Sequence, residues 1–339
     1  MSANTRNIPT FMFNLVQRVL ESRNIPPQSL VAGLDYSSED LSRPDLRISF
    51  ADAIAMIHNA YRATGDEALG LQVADAINLP DWGMMGYAVA SCDTLGQALE
   101  VGLRYSAVAT RLTRNSTAQT DEHFILKSSP LFPAGKAGIF MVEEDLGGIV
   151  QMLHRHLGDE ANPLEIHLHY PRPGYADRYP AHFRCPVKFE QTDNQIIWPR
   201  QYMESVLPQR NPAATAMAIA QCEQLIAQSA HTTEFADQVQ SMIVHNPGRF
   251  PNAAEVAANF NISESSLRRK LRASGSSYQK ILDDVRATLA IEYLTTSRLK
   301  LEAIALLLGF SDLSNFRRAF KTWTGKPPLA YRQKNNVRE

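Results

Sequence analysis

GFSDLSNFRRAFKTWTG, residues 309 to 325, decides how this chain is read. Phe316 and Phe320 stand one helical turn apart and mark a buried face, so Arg317 and Arg318 between them face elsewhere. The same arrangement stands earlier in the chain. VAANFNIS (256 to 263) matches IALLLGFS (304 to 311) at an offset of 48, pairing Val256 with Ile304, Ala257 with Ala305, Phe260 with Leu308 and Ile262 with Phe310. The offset then becomes 49, and Ser265, Leu267, Arg268, Arg269 and Leu271 fall on Ser314, Phe316, Arg317, Arg318 and Phe320. Each copy therefore reads as a short helix, a tight turn and a second helix.

Local chemistry agrees. Asn252 and Glu255 have the spacing of a capping box that starts the first short helix. Ser263 or Glu264 begins the next helix and Gly275 ends it. In the second copy Gly309 supplies the turn, Ser311 or Asp312 caps, and Gly325 followed by Pro327 stops the helix. The second helix of such a unit lies in the DNA major groove. Leu267 with Leu271, and Phe316 with Phe320, anchor these helices. Ser265, Arg268 and Arg269, and then Leu313, Ser314, Asn315, Arg317 and Arg318, are the candidates for base contact, because arginine suits guanine, asparagine suits adenine and an apolar chain suits a thymine methyl. Lys270, Arg272 and Lys321 are the phosphate candidates, and Arg269 is open to either role. Between the units, Ile281, Val285, Leu289 and Tyr293 make a helical stripe of about 18 residues, or roughly 27 Å. A rigid helix of that length suits two readers entering successive major grooves roughly 34 Å apart.

Charge divides the chain in the same place. Residues 250 to 339 carry 15 Lys and Arg against 8 Asp and Glu, leaving 19 basic and 27 acidic side chains for the rest. A basic segment on an acidic body suits a polyanion-binding module, although a docking surface between domains has the same signature. The 339 residues suit two domains. Residues 1 to 210 read as an effector-sensing and dimerisation domain, 211 to 235 as a linker helix, and 236 to 336 as the DNA-binding domain. The first 115 residues read as helical. HFILKSS, LEIHLHY and VKFEQTDNQIIWP then read as strands, the last as two runs joined by polar turn residues, with a long helix in residues 135 to 158. The fold class is α+β, helix-rich with a few strands, followed by an all-α domain with two helix-turn-helix units joined by a long helix. Ile219, Cys222 and Ile226 form a stripe on the linker helix that needs a partner, either its own domain or a second copy.

Gly309, Phe310, Asp312, Phe316, Phe320, Lys321, Gly325, Pro328, Tyr331 and Arg332 in GFSDLSNFRRAFKTWTGKPPLAYR resemble the DNA-binding module of the AraC/XylS family of transcriptional regulators. GYAVASCDTLGQALEVGLRYS and YPAHFRCPVKFEQTDNQIIWP resemble a variant of that family with an arabinose-binding-type N-terminal domain. Sugar-binding members begin with a β-rich cupin-like barrel. The helical start here departs from the barrel and from a sugar ligand. The resemblance implies a cytoplasmic regulator, an activator working with RNA polymerase, that binds double-stranded promoter DNA as a homodimer and answers to a small-molecule effector. Neither an enzyme activity nor a cofactor is expected.

Other constellations are weaker. His167 and His169 share a face of one strand, but His154 and His156 on a helix do not, and Glu143, Glu144 and Asp145 are metal ligands only by proximity. No metal is expected. Cys92, Cys185 and Cys222 lack zinc or disulfide spacing and fit inert thiols. The N-terminus has no signal-peptide pattern, and no long apolar run suits a membrane span. LPDWGMMGY and RYSAVATR suggest a mainly apolar pocket with Trp82 in its wall and Arg104, Tyr105 or Arg111 orienting a carboxylate; the plainer reading makes them core aromatics and surface arginines. A rival class is an enzyme domain fused to a DNA-binding module, which needs a nucleophile or metal before residue 240. A constitutive regulator without ligand is the third.

Overall fold

The computed structural model describes residues 8–43, 45–109, 112–131, 135–157, 162–230, 235–244, 250–296, 299–330 and 332. The chain opens on α1 (Phe11–Ser22), which buries Met12, Phe13, Leu15, Val16, Val19 and Leu20. Two short strands, β1 (Ile8–Pro9) and β2 (Arg47–Ile48), pair antiparallel and tie its start to the core through buried Ile8 and Ile48. They interrupt the helical reading of this region, because a two-residue strand carries no alternation to detect. Ser49 caps α2 (Phe50–Thr64) in a capping box with Asp52, and Gly65, at φ 63°, ends it. Then come α3 (Leu69–Ala76), α4 (Gly83–Ser91) and α5 (Leu95–Ala109).

A sheet follows, built from β3 (Thr113–Gln119), β4 (His123–Pro130), β5 (Glu165–His167), β6 (Val187–Lys188) and β7 (Asn194–Pro199) in the order β3-β4-β7-β5-β6. Its one parallel pair is β5 with β6; the other pairings are antiparallel. The two runs of VKFEQTDNQIIWP are thus separate strands with β5 inserted between them. Ile166 of β5 pairs with Val187 on one side and Ile196 on the other, which buries Ile166 and Ile196 completely. The long helix α6 (Gly135–Leu157) covers this sheet, with Val142, Leu146 and Val150 in one core with Phe124, Leu126 and Trp198. Short α7 (Tyr179–Phe183) adds Tyr179 and Phe183 to that core.

α8 (Pro212–Ala230) packs on α4 and α5, with Ala218 and Cys222 buried among Cys92, Ala98, Val101 and Tyr105, and Ile219 and Ile226 at the edge. Its apolar stripe is therefore covered by its own chain. Thr215 pins it by donating to the Ser91 carbonyl at 2.6 Å. The rest is helical: α9 (Phe235–Val244), α10 (Ala253–Asn259), α11 (Glu264–Ala273), α12 (Tyr278–Thr296), α13 (Leu301–Leu307) and α14 (Leu313–Thr324). Ile281, Val285, Leu289 and Leu294 of α12 are buried against both short helix pairs. The chain is an α+β region followed by an all-α region with two helix-turn-helix units joined by a long helix.

Candidate nucleic-acid interface and ligand cavity

Each helix-turn-helix unit is set by a cap, a left-handed turn residue and a buried pair. In the first, Asn252 Oδ1 accepts from the Glu255 amide at 2.9 Å and Glu255 Oε2 from the Asn252 amide at 2.8 Å, which starts α10. Asn261 turns the chain at φ 53°, and Ser263 caps α11 by accepting from the Ser266 amide. In the second, Gly309 holds the equivalent turn at φ 73°, and Asp312 caps α14 by accepting from the Asn315 amide at 2.8 Å. Leu267, Leu271, Phe316 and Phe320 are wholly buried. Their i, i+4 spacing fixes which way the arginines face.

Ser265, Arg268, Arg269, Arg272, Ser314, Arg317, Arg318 and Lys321 are exposed. Arg269 and Arg317 have no ion-pair partner among the described residues. Arg268 pairs with Glu264 at 3.2 Å and Arg318 donates to Asn315 Oδ1 at 2.7 Å, both on their own helices. Three side chains sit less freely than their sequence positions suggest. Leu313 is half-buried against the core, Asn315 is half-buried and also donates to Asp312, and Lys270 places its Nζ over the Phe235 ring, 5.0 Å from the centroid.

Sequence reasoning missed Arg286. From α12 its guanidinium lies between Phe250 and Phe310, 5.1 and 4.8 Å from the ring centroids, and donates to the Gly309 carbonyl at 3.4 Å. Partial burial lowers its pKa. Nothing in a helical stripe marks such a contact, since its partners come from a loop before α10 and the turn after α13. Arg332 likewise serves the fold, donating to the Leu299 carbonyl at 2.7 Å. Tyr331 lies outside the described residues.

The N-terminal region holds a cavity of about 100 Å³. Trp82, Met85, Leu99, Leu126, Ile149 and Leu207 are among its walls, with Glu144 and Asp145 at one side. Of the residues read from sequence, Trp82 is there. Arg104 and Tyr105 are instead turned to α8, where both donate to Glu223 Oε1, at 3.2 and 2.9 Å. The reason is helical phase: Leu99, Gly102, Leu103 and Ser106 take the cavity face of α5, leaving Arg104 and Tyr105 elsewhere. Arg111 lies outside the described residues.

Asp145 accepts from Ser128 and, at 3.3 Å, from Asn115. Glu144 is 7% exposed and has no hydrogen-bond partner among the described residues. Burial, and then the neighbouring Asp145 charge, push its pKa up to about 8. Glu143 points away, accepting from Tyr175 and Tyr179, with burial raising it to about 7.

Burial also holds the Cys92 and Cys185 thiols up at about 11 and about 12, so neither supplies a thiolate at neutral pH. His167 bonds Glu165 and Gln195, and His169 bonds the Gln191 carbonyl. Among the described residues no group of three or more His, Cys, Asp or Glu is placed to hold a metal ion, and no helix is long and apolar enough to cross a membrane.

Comparison with known proteins adds four findings. Residues 25–207 match the arabinose-binding domain of AraC transcription regulator, N-term, and residues 256–334 match a helix-turn-helix domain. An ornithine utilization regulator of Pseudomonas aeruginosa is 35% identical over 306 residues, 90% of each chain. An uncharacterized HTH-type transcriptional regulator of Mycobacterium tuberculosis is 27% identical over 333 residues, 95% of each chain. The crystal structure of the transcriptional regulator CdpR from Pseudomonas aeruginosa aligns over 95% of this chain and 98% of its own, at 23% identity and a TM-score of 0.49. Two matched domains and a relative sharing a third of its residues end to end make this chain a member of the AraC family of transcriptional regulators, a DNA-binding protein with an N-terminal ligand-binding domain.

Proposed function

We propose that this chain is a sequence-specific transcriptional activator whose action at promoters is set by a small molecule in the N-terminal cavity. Residues 1–210 sense and dimerise, 211–235 connect, and 236–336 bind double-stranded DNA. The observation that carries this reading is the duplicated arginine pair: Arg268 with Arg269, and Arg317 with Arg318, each exposed between two wholly buried residues. α12 has 19 residues, a rod of roughly 28 Å, which is suited to holding two such faces on successive major grooves.

Ser265, Ser314 and the four arginines read base edges, and Arg272 and Lys321 bind phosphate. Leu313, Asn315 and Lys270 join them only if their present contacts give way. The protein acts in the cytoplasm as a homodimer and recruits RNA polymerase, as the family resemblance implies. The Cys92 and Cys185 thiols, with pKa values far above neutrality, support a regulator over a fused cysteine enzyme.

Selection of bound fragments from the host genome tests the proposal. Two half-sites about one DNA turn apart, with affinity falling steeply as salt rises, are expected. Recovery of fragments with no shared sequence would overturn sequence-specific regulation, and an operator that represses its neighbouring promoter would overturn activation.

A further inference from the structure

The cavity is mainly apolar; Ser106, Asn115 and Gln209 join its walls, and its two acids, Glu144 and Asp145, come from α6. Asp145 is already satisfied there: Ser128, Asn115 and Thr113 all donate to it. Glu144 beside it is not. It lines the cavity, is 7% exposed, and has neither a hydrogen-bond nor an ion-pair partner among the described residues. Among the described residues the charge acting on it is that of Asp145, of the same sign. No Lys or Arg is among the described residues lining the cavity.

An unpaired buried carboxyl is relieved in two ways, by a proton or by a cation. A proton does it where no cation is at hand, in keeping with a pKa raised to about 8. Among the described residues the cavity walls offer no cation, and an entering anion would meet two acids. A neutral apolar ligand would leave the Glu144 carboxyl as costly as before.

From the cavity and its unpartnered acid, we infer that the effector is a small organic amine, its ammonium bonded to Glu144 beside Asp145 and its apolar body lodged among Trp82, Leu99 and Ile149. This rests on the reading of the N-terminal region as the effector domain. A cavity of about 100 Å³ is comparable to the engineered cavity of roughly 150 Å³ that takes benzene, so the body is one ring or a short branched chain. Leu207, Pro208 and Gln209 also line it and lead directly into α8. An occupied site therefore touches the segment that joins the two regions. Pairing lowers the pKa of Glu144, so binding an ammonium near pH 7 releases a proton.

The test uses the full chain and three matched probe series: benzylamine, cyclohexylamine and isoamylamine, their alcohols, and their carboxylates. Melting temperature, calorimetry in two buffers of different ionisation enthalpy, and operator affinity are measured for the wild type and Glu144→Gln. At least one amine should raise the melting temperature and bind with proton release, at least about tenfold tighter than its alcohol. Its carboxylate should not bind. Glu144→Gln should lose that preference and the proton release, while retaining its circular dichroism spectrum.

An alcohol or carboxylate that binds as well as its amine, or an amine that binds Glu144→Gln unchanged, overturns the inference. If that alcohol or carboxylate also alters operator affinity, the effector-domain reading survives while the amine class falls. If no probe of any charge changes melting or operator affinity, both fall.

Discussion

Asn261 and Gly309 occupy the same position in the two copies of the repeat, and both adopt left-handed backbone, φ 53° and 73°. The two turns need the same conformation and meet it with different residues. A Cβ on Gly309 would stand 3.2 Å from Arg286 Nη2 and 3.3 Å from Phe250 Cδ2. Gly309→Ala should therefore destabilise the C-terminal region by about 1–2 kcal/mol, through both strain and crowding. Asn261→Gly should be neutral to within about 0.5 kcal/mol, because asparagine tolerates this region but gains little from it. Urea unfolding of both variants checks the asymmetry, and equal losses would mean that the turns are not equivalent.

The second unit depends on the guanidinium sandwiched between Phe250 and Phe310. Arg286→Ala removes two cation–π contacts and a donor to the Gly309 carbonyl, for an expected loss of about 2 kcal/mol. Arg286→Lys keeps the charge but not the planar face, and should recover less than half of that loss. DNA affinity should fall with stability in both, although Arg286 lies among none of the candidate contact residues. A variant with unchanged thermal unfolding would remove this role.

Much of the C-terminal region was legible because duplicated sequence makes its own control: Leu267, Leu271, Phe316 and Phe320 identify one another as anchors, and all four are buried. The cap at Asn252 was legible for a local reason, since donor and acceptor lie three residues apart. What escaped was assembled from distant segments. The insertion of β5 between β6 and β7 depends on pairing across the sheet, and Arg286 finds its rings in two loops. The cavity draws on α4, α5, α6, β4 and the chain before α8, so Glu144 looked like one member of an acidic run until its neighbours were seen. Arg104 and Tyr105 sit in an apolar stretch as pocket residues would, yet the phase of α5 gives them to Glu223.

Glu144 also gives stability a pH dependence of definite sign. Its folded pKa is about 8, against an ordinary value of 4.5. Between those values the native state holds a proton that the unfolded chain has released, so rising pH costs the wild type about 1.4 kcal/mol per unit from this group. The loss begins above pH 4.5 and levels off above pH 8. Glu144→Gln removes that slope, so the variant should gain on the wild type by a few kcal/mol between pH 5 and pH 8. Glu143, raised to about 7, adds a similar slope to both proteins and cancels in the difference. Urea unfolding at pH 5, 6.5 and 8 measures it. A constant gap between the two proteins would mean that Glu144 is ionised in the folded state throughout.

Lys270 on α11 and Lys321 on α14 both follow an arginine pair but differ in surroundings, which separates structural from phosphate-binding roles. Lys321 is exposed, and Lys321→Ala should weaken binding to all sequences and lower the slope of log affinity against log salt by about 1. Lys270 lies over Phe235, so Lys270→Ala should lose about 0.5–1 kcal/mol of stability and leave the salt slope nearly unchanged. Arg317→Ala supplies the contrast: a loss of roughly 1–3 kcal/mol at the cognate operator, confined to one or two base positions. Binding titrations at several salt concentrations, on the operator and on single-base variants, distinguish the three. If Arg317→Ala weakened every sequence alike while Lys321→Ala changed base preference, the orientation of α14 on DNA would be the reverse of the one drawn from Phe316 and Phe320.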